Sequence, residues 1–458
     1  VDFETRSTVD LKKVGVYAYA HHPDTEIACT GYAYGDADAY VSAGFPLFPL
    51  KAFIDKATFI VAHNAQMERE MLRAQGIDLP WSRFVDTAAL AARMALPRKL
   101  ESLALALKLE QQKDMAGHRI MLRLSRPKGG WDDEEGEFWE EEDRPADFAA
   151  LREYCRQDVA VMREIHRRLL PLSAKENQLY ALTGEMNDRG VKVDLAAIPA
   201  ALELLNSASA AEAAEFASLT GGATVKSYVR VAKVLDLPNT KKVTVRNIVR
   251  QGFVMAQIKT AGNGYETKRF PPVGTYPPNT IRALTLFKKL ARSSPAKLRA
   301  FQNRANRDGR VRGTMIYSGA ERTQRWSSGG VQLHNLPRGL GEGTDLAFDA
   351  LGAGAIELLY DDPVGTLTEM LRGFLVGPVL VGDFAQIEAR SLNWFANQKD
   401  VVDLFANRKD VYCYTASRIY GRPITKKDTD PRLPPGVTPR FIGKVTELGA
   451  GYGLGAEK

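Results

Sequence analysis

The run Val376–Val381 is apolar almost throughout, and it is followed within a few residues by Asp383 and then by a helical pattern. Such a run reads as a buried strand. A carboxylate at the end of a strand, with a helix opening just beyond it, stands where it can hold a divalent cation. The chain therefore has to build a sheet that presents an acid at one end. The N-terminal part makes a similar demand. Between Val1 and Leu170 short apolar runs (Ile27–Tyr34, Thr58–Ala62) alternate with helical periodicity (Glu68–Gln75, Thr87–Met94), which predicts an α/β domain. A length of 458 residues leaves room for about three domains.

Further along, the period is lost between Lys108 and Asp147, and Trp131–Asp143 reads as a solvated surface loop. Ala196–Ser218 predicts a helix closed by Gly221-Gly222, Val225–Lys242 a smaller basic helical unit, and Asn263–Pro278 a loop. Thr280–Arg304 predicts one long helix running into a turn at Asp308-Gly309. Charge is distributed unevenly. Asp132–Asp147 carries ten acidic residues against Arg144, a net −9, so a chain of net +7 has a remainder at +16. A basic body of this kind suits a polyanion, most often nucleic acid.

Cys29, Cys155 and Cys413 are too few and too scattered for a disulfide framework or a zinc site. They fit a reducing compartment, with the cytoplasm of a bacterial or phage-infected cell as the expected location. The apolar run Phe374–Phe384 falls well short of the ~20 residues a bilayer requires, so no membrane partner is expected. The start Val-Asp-Phe-Glu has no initiator Met and reads as the interior of a longer chain.

Asp2 and Glu4 lie two apart in a segment of strand character, so both side chains share one face. Paired carboxylates are costly unless a cation neutralises them, which reads as a divalent-metal site. Asn64 precedes a helix bearing Glu68, Asp86-Thr87 opens the next helix, and Tyr154 stands one helical turn before Asp158. Together these resemble the DEDDy family of 3′-5′ exonucleases, the proofreading domains of many DNA polymerases, with an RNase H-like fold. The resemblance makes Asp2 and Glu4 the first motif, Asn64 and Glu68 the second, and Tyr154 and Asp158 the third. It implies that Asp2, Glu4, Glu68 and Asp158 converge on one pocket holding two Mg²⁺ or Mn²⁺ ions, with Tyr154 orienting the attacking water beside Asp158. Asn64 would touch the single-stranded DNA 3′ end. Glu68 departs from the family, which usually has Asp there, by one methylene.

Thr323-Gln324-Arg325-Trp326-Ser327-Ser328 and Gln332-Leu333-His334-Asn335-Leu336-Pro337 form a dense polar cluster of the kind that positions a duplex through phosphate and sugar. They resemble the TGRLSS and LQNIP segments of family A DNA polymerases, with Gln324 in place of Gly and His334 in place of Gln. By that likeness Arg325, Gln332, His334 and Asn335 contact primer-template DNA. Asp383-Phe384-Ala385-Gln386-Ile387-Glu388-Ala389-Arg390 resembles motif A of the same family. This implies that Asp383 binds both catalytic metals and that Glu388 sits against the sugar of the incoming dNTP, excluding a 2′-OH.

Arg440, Lys444, Leu448 and Tyr452 recur at helical spacing, and two cations one turn apart suit a triphosphate. The string resembles motif B, the O helix of the fingers. Arg440 and Lys444 would then grip the dNTP phosphates, Tyr452 would lie near the template base, and Leu448 would replace a stacking aromatic. The alternating glycines from Gly449 to Gly455 follow no βαβ unit and carry no dinucleotide signal.

The resemblance implies an α/β RNase H-like exonuclease over 1–175, a mostly helical thumb-like region over 176–310, a partial α+β palm over 311–400 and partial fingers over 401–458. Motif C of the family, with its second palm carboxylate, has no counterpart before Lys458, so the chain reads as truncated at both ends, with an incomplete polymerase site. Two narrower readings stand beside this one. One is a 3′-5′ exonuclease with a degenerate polymerase-like DNA-holding part, and the other is a non-catalytic DNA-binding protein. Asp2, Glu4 and Asp158 count against the latter, while Glu388, Arg440 and Lys444 count against the former.

Overall fold

Asp2–Arg6 forms strand β1, which pairs antiparallel with β2 (Glu26–Tyr32), and β2 pairs in turn with β3 (Tyr40–Ala43). Asp2 lies opposite Gly31 and Glu4 opposite Cys29, with an irregularity between Glu4 and Thr5. The pleat sends Phe3 into a core with Met71, Leu72 and Phe84 and leaves Asp2 and Glu4 on the other face. Strands β4 (Ile60–Ala62) and β5 (Phe84–Asp86) are parallel, and the crossover that parallel neighbours require runs through helix α1 (Gln66–Ala74). Helix α2 (Thr87–Arg93) follows directly, N-capped by the Asp86 side chain.

The structure, a computed structural model, describes all residues except 111–114, 132–135, 260–264, 292–293, 322, 378–381, 383, 435 and 454–458. It contains one helix where the sequence pattern was lost, α3 (Met115–Leu124). Its apolar residues Ile120, Met121 and Leu124 are clustered at one end and pack with Phe148 and Leu151, too short a stripe to reveal a period. The expected surface loop Trp131–Asp143 lies partly outside the described residues, and its described remainder from Gly136 is irregular.

Helix α4 (Pro145–Arg168) crosses the sheet. It starts with Pro at its first position, where no hydrogen-bonding N–H is required, and it buries Phe148, Leu151, Cys155, Val159, Met162 and Ile165 at three- and four-residue spacing. Its approach to β2 depends on Gly31. A Cβ there would lie 2.8 Å from Cys155 Sγ and 2.9 Å from Val159 Cγ2.

Helix α5 (Ile198–Leu219) spans two cores. Ile198, Ala201 and Leu205 join one with Leu298, Phe301, Leu367 and Phe374, while Phe216 enters a second with Val231, Ile248, Val254 and Phe287. Helices α6 (Tyr228–Val234) and α7 (Lys242–Gln251) and a hairpin of β6 (Val254–Lys259) and β7 (Tyr265–Phe270) complete the second core. Strand β7 corrects the loop expected over Asn263–Pro278. The segment is rich in Gly and Pro overall, but Tyr265–Phe270 is a mostly polar strand without alternation, and its pairing partner lies just upstream.

The single helix expected over Thr280–Arg304 is two, α8 (Pro278–Leu290) and α9 (Ser294–Arg304). Leu286 and Phe287 belong to the second core and Leu298 and Phe301 to the first, so the buried stripe changes partner between them. Pro295, which cannot donate to the preceding turn, stands at the break.

The chain separates into two compact units, Val1–Gly377 and Pro378–Lys458. The second is helical in its described part, with α10 (Ile387–Phe395), a helix at Lys399–Ala406, α11 (Val411–Tyr420) and α12 (Pro439–Gly451). Ala389, Val401, Phe405, Val411 and Tyr412 form its core. Most of the strand expected at Val376–Val381 lies outside the described residues, as does Asp383. No described helix is long and apolar enough to cross a membrane.

Candidate active site

Asp2 and Glu4 of β1 meet Asp158 of α4, and one carboxylate oxygen from each lies within 4.8 Å of the others. Tyr154, one turn earlier on α4, bonds Asp158 through its hydroxyl. Burial, with the neighbouring charges of Asp158, Glu4 and Asp2, holds that hydroxyl well above its ordinary value, so it remains a proton donor. Glu68, in the first turn of α1, is 4% exposed, and its Oε2 has no hydrogen-bond partner among the described residues. Burial, reinforced by repulsion from Asp2, raises the Glu68 carboxyl well above the usual carboxylate range. Three converging acids make a site whose charge calls for a cation, and hard oxygen donors suit Mg²⁺ or Mn²⁺, while Glu68, expected to converge with them, is not one of the three whose oxygens meet.

Asp86 shapes the second motif. Its Oδ1 accepts from the backbone N–H of Asn64 at 2.8 Å and of Ala88 at 2.9 Å, and its Oδ2 accepts from the Tyr180 hydroxyl at 3.2 Å. Asn64 is thereby held at φ 66°, a left-handed conformation that Asn adopts more readily than most residues, with its side chain exposed. Two neighbours of the cluster carried no sequence signal. The Cys155 Sγ lies 3.6 Å from Asp2 Oδ2, and the His118 ring lies 6.4 Å from that of Tyr154.

In the loop between Thr323 and Pro337, Arg325, Gln332, His334 and Asn335 are all exposed. The loop is anchored from below. Trp326 donates through Nε1 to Thr183 Oγ1 at 2.9 Å and meets Tyr317 edge-on, while Gln324 donates to the Arg93 carbonyl at 2.9 Å and accepts from its guanidinium. Asn335 donates to Gln332 Oε1 at 3.2 Å, so these two polar side chains are presented together.

In the second unit Glu388 is half-buried in the first turn of α10, close enough to Tyr412 to raise its hydroxyl alongside the larger effect of burial. Arg440 lies over the Tyr412 ring and pairs with Asp410 at 2.8 Å. Lys444 and Tyr452 are exposed. Leu448 packs against the core of the unit, which makes it a supporting residue at least as much as a surface one.

A DNA polymerase of Bacillus phage SP02 is 31% identical to this chain over 469 aligned positions, spanning 99% of the chain and 68% of that protein. In fold the chain is similar to the POL domain of Pol1 from M. smegmatis, solved in complex with DNA primer-template and dNTP. That likeness has a TM-score of 0.50 at 17% identity and covers 98% of this chain and 72% of the other. No family model matches the chain. The class these findings define is that of the DNA-directed DNA polymerases. The chain belongs to the family A-like, DNA polymerase I-related DNA polymerases.

Proposed function

We propose that this polymerase couples template-directed synthesis from dNTPs to 3′-5′ exonucleolytic proofreading, each carried out by two-metal phosphoryl chemistry. The observation that carries the exonuclease half is the meeting of Asp2, Glu4 and Asp158 within 4.8 Å. When bound, Mg²⁺ or Mn²⁺ would supply the positive charge that activates water and stabilises the leaving 3′ oxygen. Asp2, Glu4, Asp158 and Glu68 are the residues to hold it. Tyr154, protonated and hydrogen-bonded to Asp158, orients the attacking water. Asn64, exposed beside the site, meets the single-stranded 3′ end.

For synthesis, Asp383 is the palm metal ligand, and Glu388 walls off the 2′ position of the incoming sugar. Arg440 and Lys444 hold the triphosphate, with Leu448 and Tyr452 toward the base. Arg325, Gln332, His334 and Asn335 grip primer-template DNA through the exposed loop they share. The corresponding regions are an exonuclease at 1–175, a thumb-like region at 176–310, palm at 311–400 and fingers at 401–458.

The test is the paired substitution Asp2→Ala with Glu4→Ala. Mg²⁺-dependent shortening of single-stranded DNA from its 3′ end should vanish while DNA binding persists. Undiminished shortening would remove the carboxylate cluster from the reaction. In a chain that also carries the second palm carboxylate of motif C, Glu388→Ala should admit ribonucleotides far more readily, as read by incorporation of NTP against dNTP. Equal discrimination in the two proteins would reject the sugar-wall role.

A further inference from the structure

Tyr180 lies buried in the middle of the helix Ala174–Arg189, and its ring meets aromatic side chains from two directions. On one side is Trp81, 5.9 Å away at 84°, and on the other Tyr317, 5.7 Å away at 90°. Tyr317 in turn meets Trp326 at 6.1 Å and 86°. All three contacts are edge-on, an arrangement that aromatic pairs favour. The stack therefore runs from the loop that carries Arg325 to the strand-helix turn at Asp86.

The Tyr180 hydroxyl donates to Asp86 Oδ2 at 3.2 Å, and Asp86 Oδ1 accepts from the Asn64 N–H at 2.8 Å. Burial, with the Asp86 charge beside it, holds that hydroxyl well above its ordinary value, so it stays a donor. Without it the buried Asp86 carboxylate loses one of its donors and is less firmly held against Asn64. Asn64, at φ 66°, occupies a conformation that is costly for a residue with a Cβ, so its turn depends on that backbone bond.

Two further connections join the same parts. Arg98 donates to the Tyr317 carbonyl at 3.1 Å, and its own carbonyl accepts from Nε2 of His63, the residue before Asn64, at 2.9 Å. Gln324 donates to the carbonyl of Arg93, at the far end of the helix α2 that Asp86 caps. The loop is thus fastened to α2 at one end and, through the aromatic stack, to its cap at the other.

We infer that Tyr180 is a positioning residue for Asn64, acting through Asp86, and that Tyr317 and Trp326 behind its ring make the loop Thr323–Pro337 and the His63-Asn64 turn one coupled unit. The inference rests on the exonuclease reading, in which Asn64 meets a single-stranded 3′ end. It adds that a side chain which does not touch the DNA sets how firmly that end is held, and that loosening the loop weakens the hold from a distance.

The experiment uses the full chain, a single-stranded oligothymidylate and Mg²⁺ under single-turnover conditions, which separate binding from chemistry. Tyr180→Phe keeps the ring and should weaken strand binding several-fold with little change in the maximal rate. Asn64→Gly accepts the left-handed turn without strain and has no side chain to place, so adding Tyr180→Phe to it should have no further effect. Trp326→Ala should also weaken binding, and its combination with Tyr180→Phe should fall short of the product of the two single effects. Trp326→Phe, which loses the Nε1 bond to Thr183, takes its place if Trp326→Ala fails to fold, with the same shortfall expected. Tyr17→Phe is the control. It removes a buried hydroxyl that donates to Asp188 on the same helix at 2.6 Å, and should leave strand binding unchanged.

Unchanged binding in Tyr180→Phe, an equal loss in Tyr17→Phe, or a Tyr180→Phe effect that persists in Asn64→Gly overturns the inference. Effects of Tyr180→Phe and the Trp326 variant that multiply overturn it as well, since independent contacts behave in that way. Should wild type show no degradation that Asp2→Ala abolishes, the exonuclease reading fails by itself. Fluorescence anisotropy of the same strand in EDTA then applies the same comparisons to affinity alone, and the same outcomes decide.

Discussion

Glu68 is 4% exposed yet carries a carboxyl that shares its surroundings with Asp2. Its folded value is raised, by burial first and by Asp2 second, so the folded protein binds this proton more tightly than the unfolded chain does. Stability from this group is therefore full below the ordinary carboxylate value and is lost as pH rises through the raised one. In EDTA the melting temperature should fall across that window, and Glu68→Gln, which keeps the shape without the charge, should flatten the decline. An unchanged slope in thermal denaturation against pH would show that Glu68 ionises freely. Tyr154 offers a kinetic counterpart. Tyr154→Phe keeps the buried ring but removes the hydroxyl that bonds Asp158, and by analogy with deletion of one positioned donor the nuclease kcat should drop by about 10²-fold, with KM little changed. Single-turnover degradation of single-stranded DNA measures it, and a pure KM effect would make the tyrosine a binding residue.

Helices α11 and α12 approach so closely at Gly443 that an added Cβ would lie 2.1 Å from the Tyr412 carbonyl oxygen and 2.8 Å from the Ala416 nitrogen. Both are backbone atoms that cannot step aside as a side chain end could. Gly443→Ala should therefore cost at least the ~1–3 kcal/mol typical of overpacking, and for a unit of about 80 residues each kcal/mol is worth ~4–8 °C. Calorimetry should show that loss in Gly443→Ala, with Thr446→Ala on the exposed side of α12 as the matched control. Asp410 ties the same two helices together by capping α11 through the Tyr412 and Cys413 N–H groups and by pairing with Arg440. Burial pulls its carboxyl up, but the Arg440 bond and the Cys413 N–H outweigh burial and leave it below the ordinary range. Its contribution is present above the ordinary carboxylate value and is lost as pH falls through the lowered one. What the sequence made legible here was the helix and the two cations on it. The close approach at Gly443 and the Asp410 partner were not legible, because both depend on a helix some thirty residues upstream.

At the scale of the whole molecule, legibility followed the range over which each signal acts. Asp2 and Glu4 two apart on a strand, and Tyr154 and Asp158 one turn apart on a helix, are local patterns, and the structure keeps both. Strand β7 and helix α3 escaped because their identity comes from a pairing partner and from packing under α4, not from their own periodicity. Charge is a further long-range property, and the fold collects it. Residues 221–291, which surround the core shared by α6, α7 and the β6–β7 hairpin, hold 13 Lys and Arg against 2 Asp and Glu. This module is therefore expected to dominate the salt dependence of duplex binding, since each phosphate neutralised releases condensed counterions and contributes about −0.9 to the slope of log K against log salt. Arg246 and Arg250 stand one turn apart on the exposed side of α7. Replacing both with Ala should lower the magnitude of that slope by about two if each meets a phosphate, and should weaken binding equally on unrelated duplex sequences, because phosphate contacts carry no base information. Anisotropy titrations of duplex DNA over a range of salt concentrations measure both quantities. A slope unchanged in the double variant would move the duplex away from this module, and a loss confined to one sequence would mean that the arginines read bases.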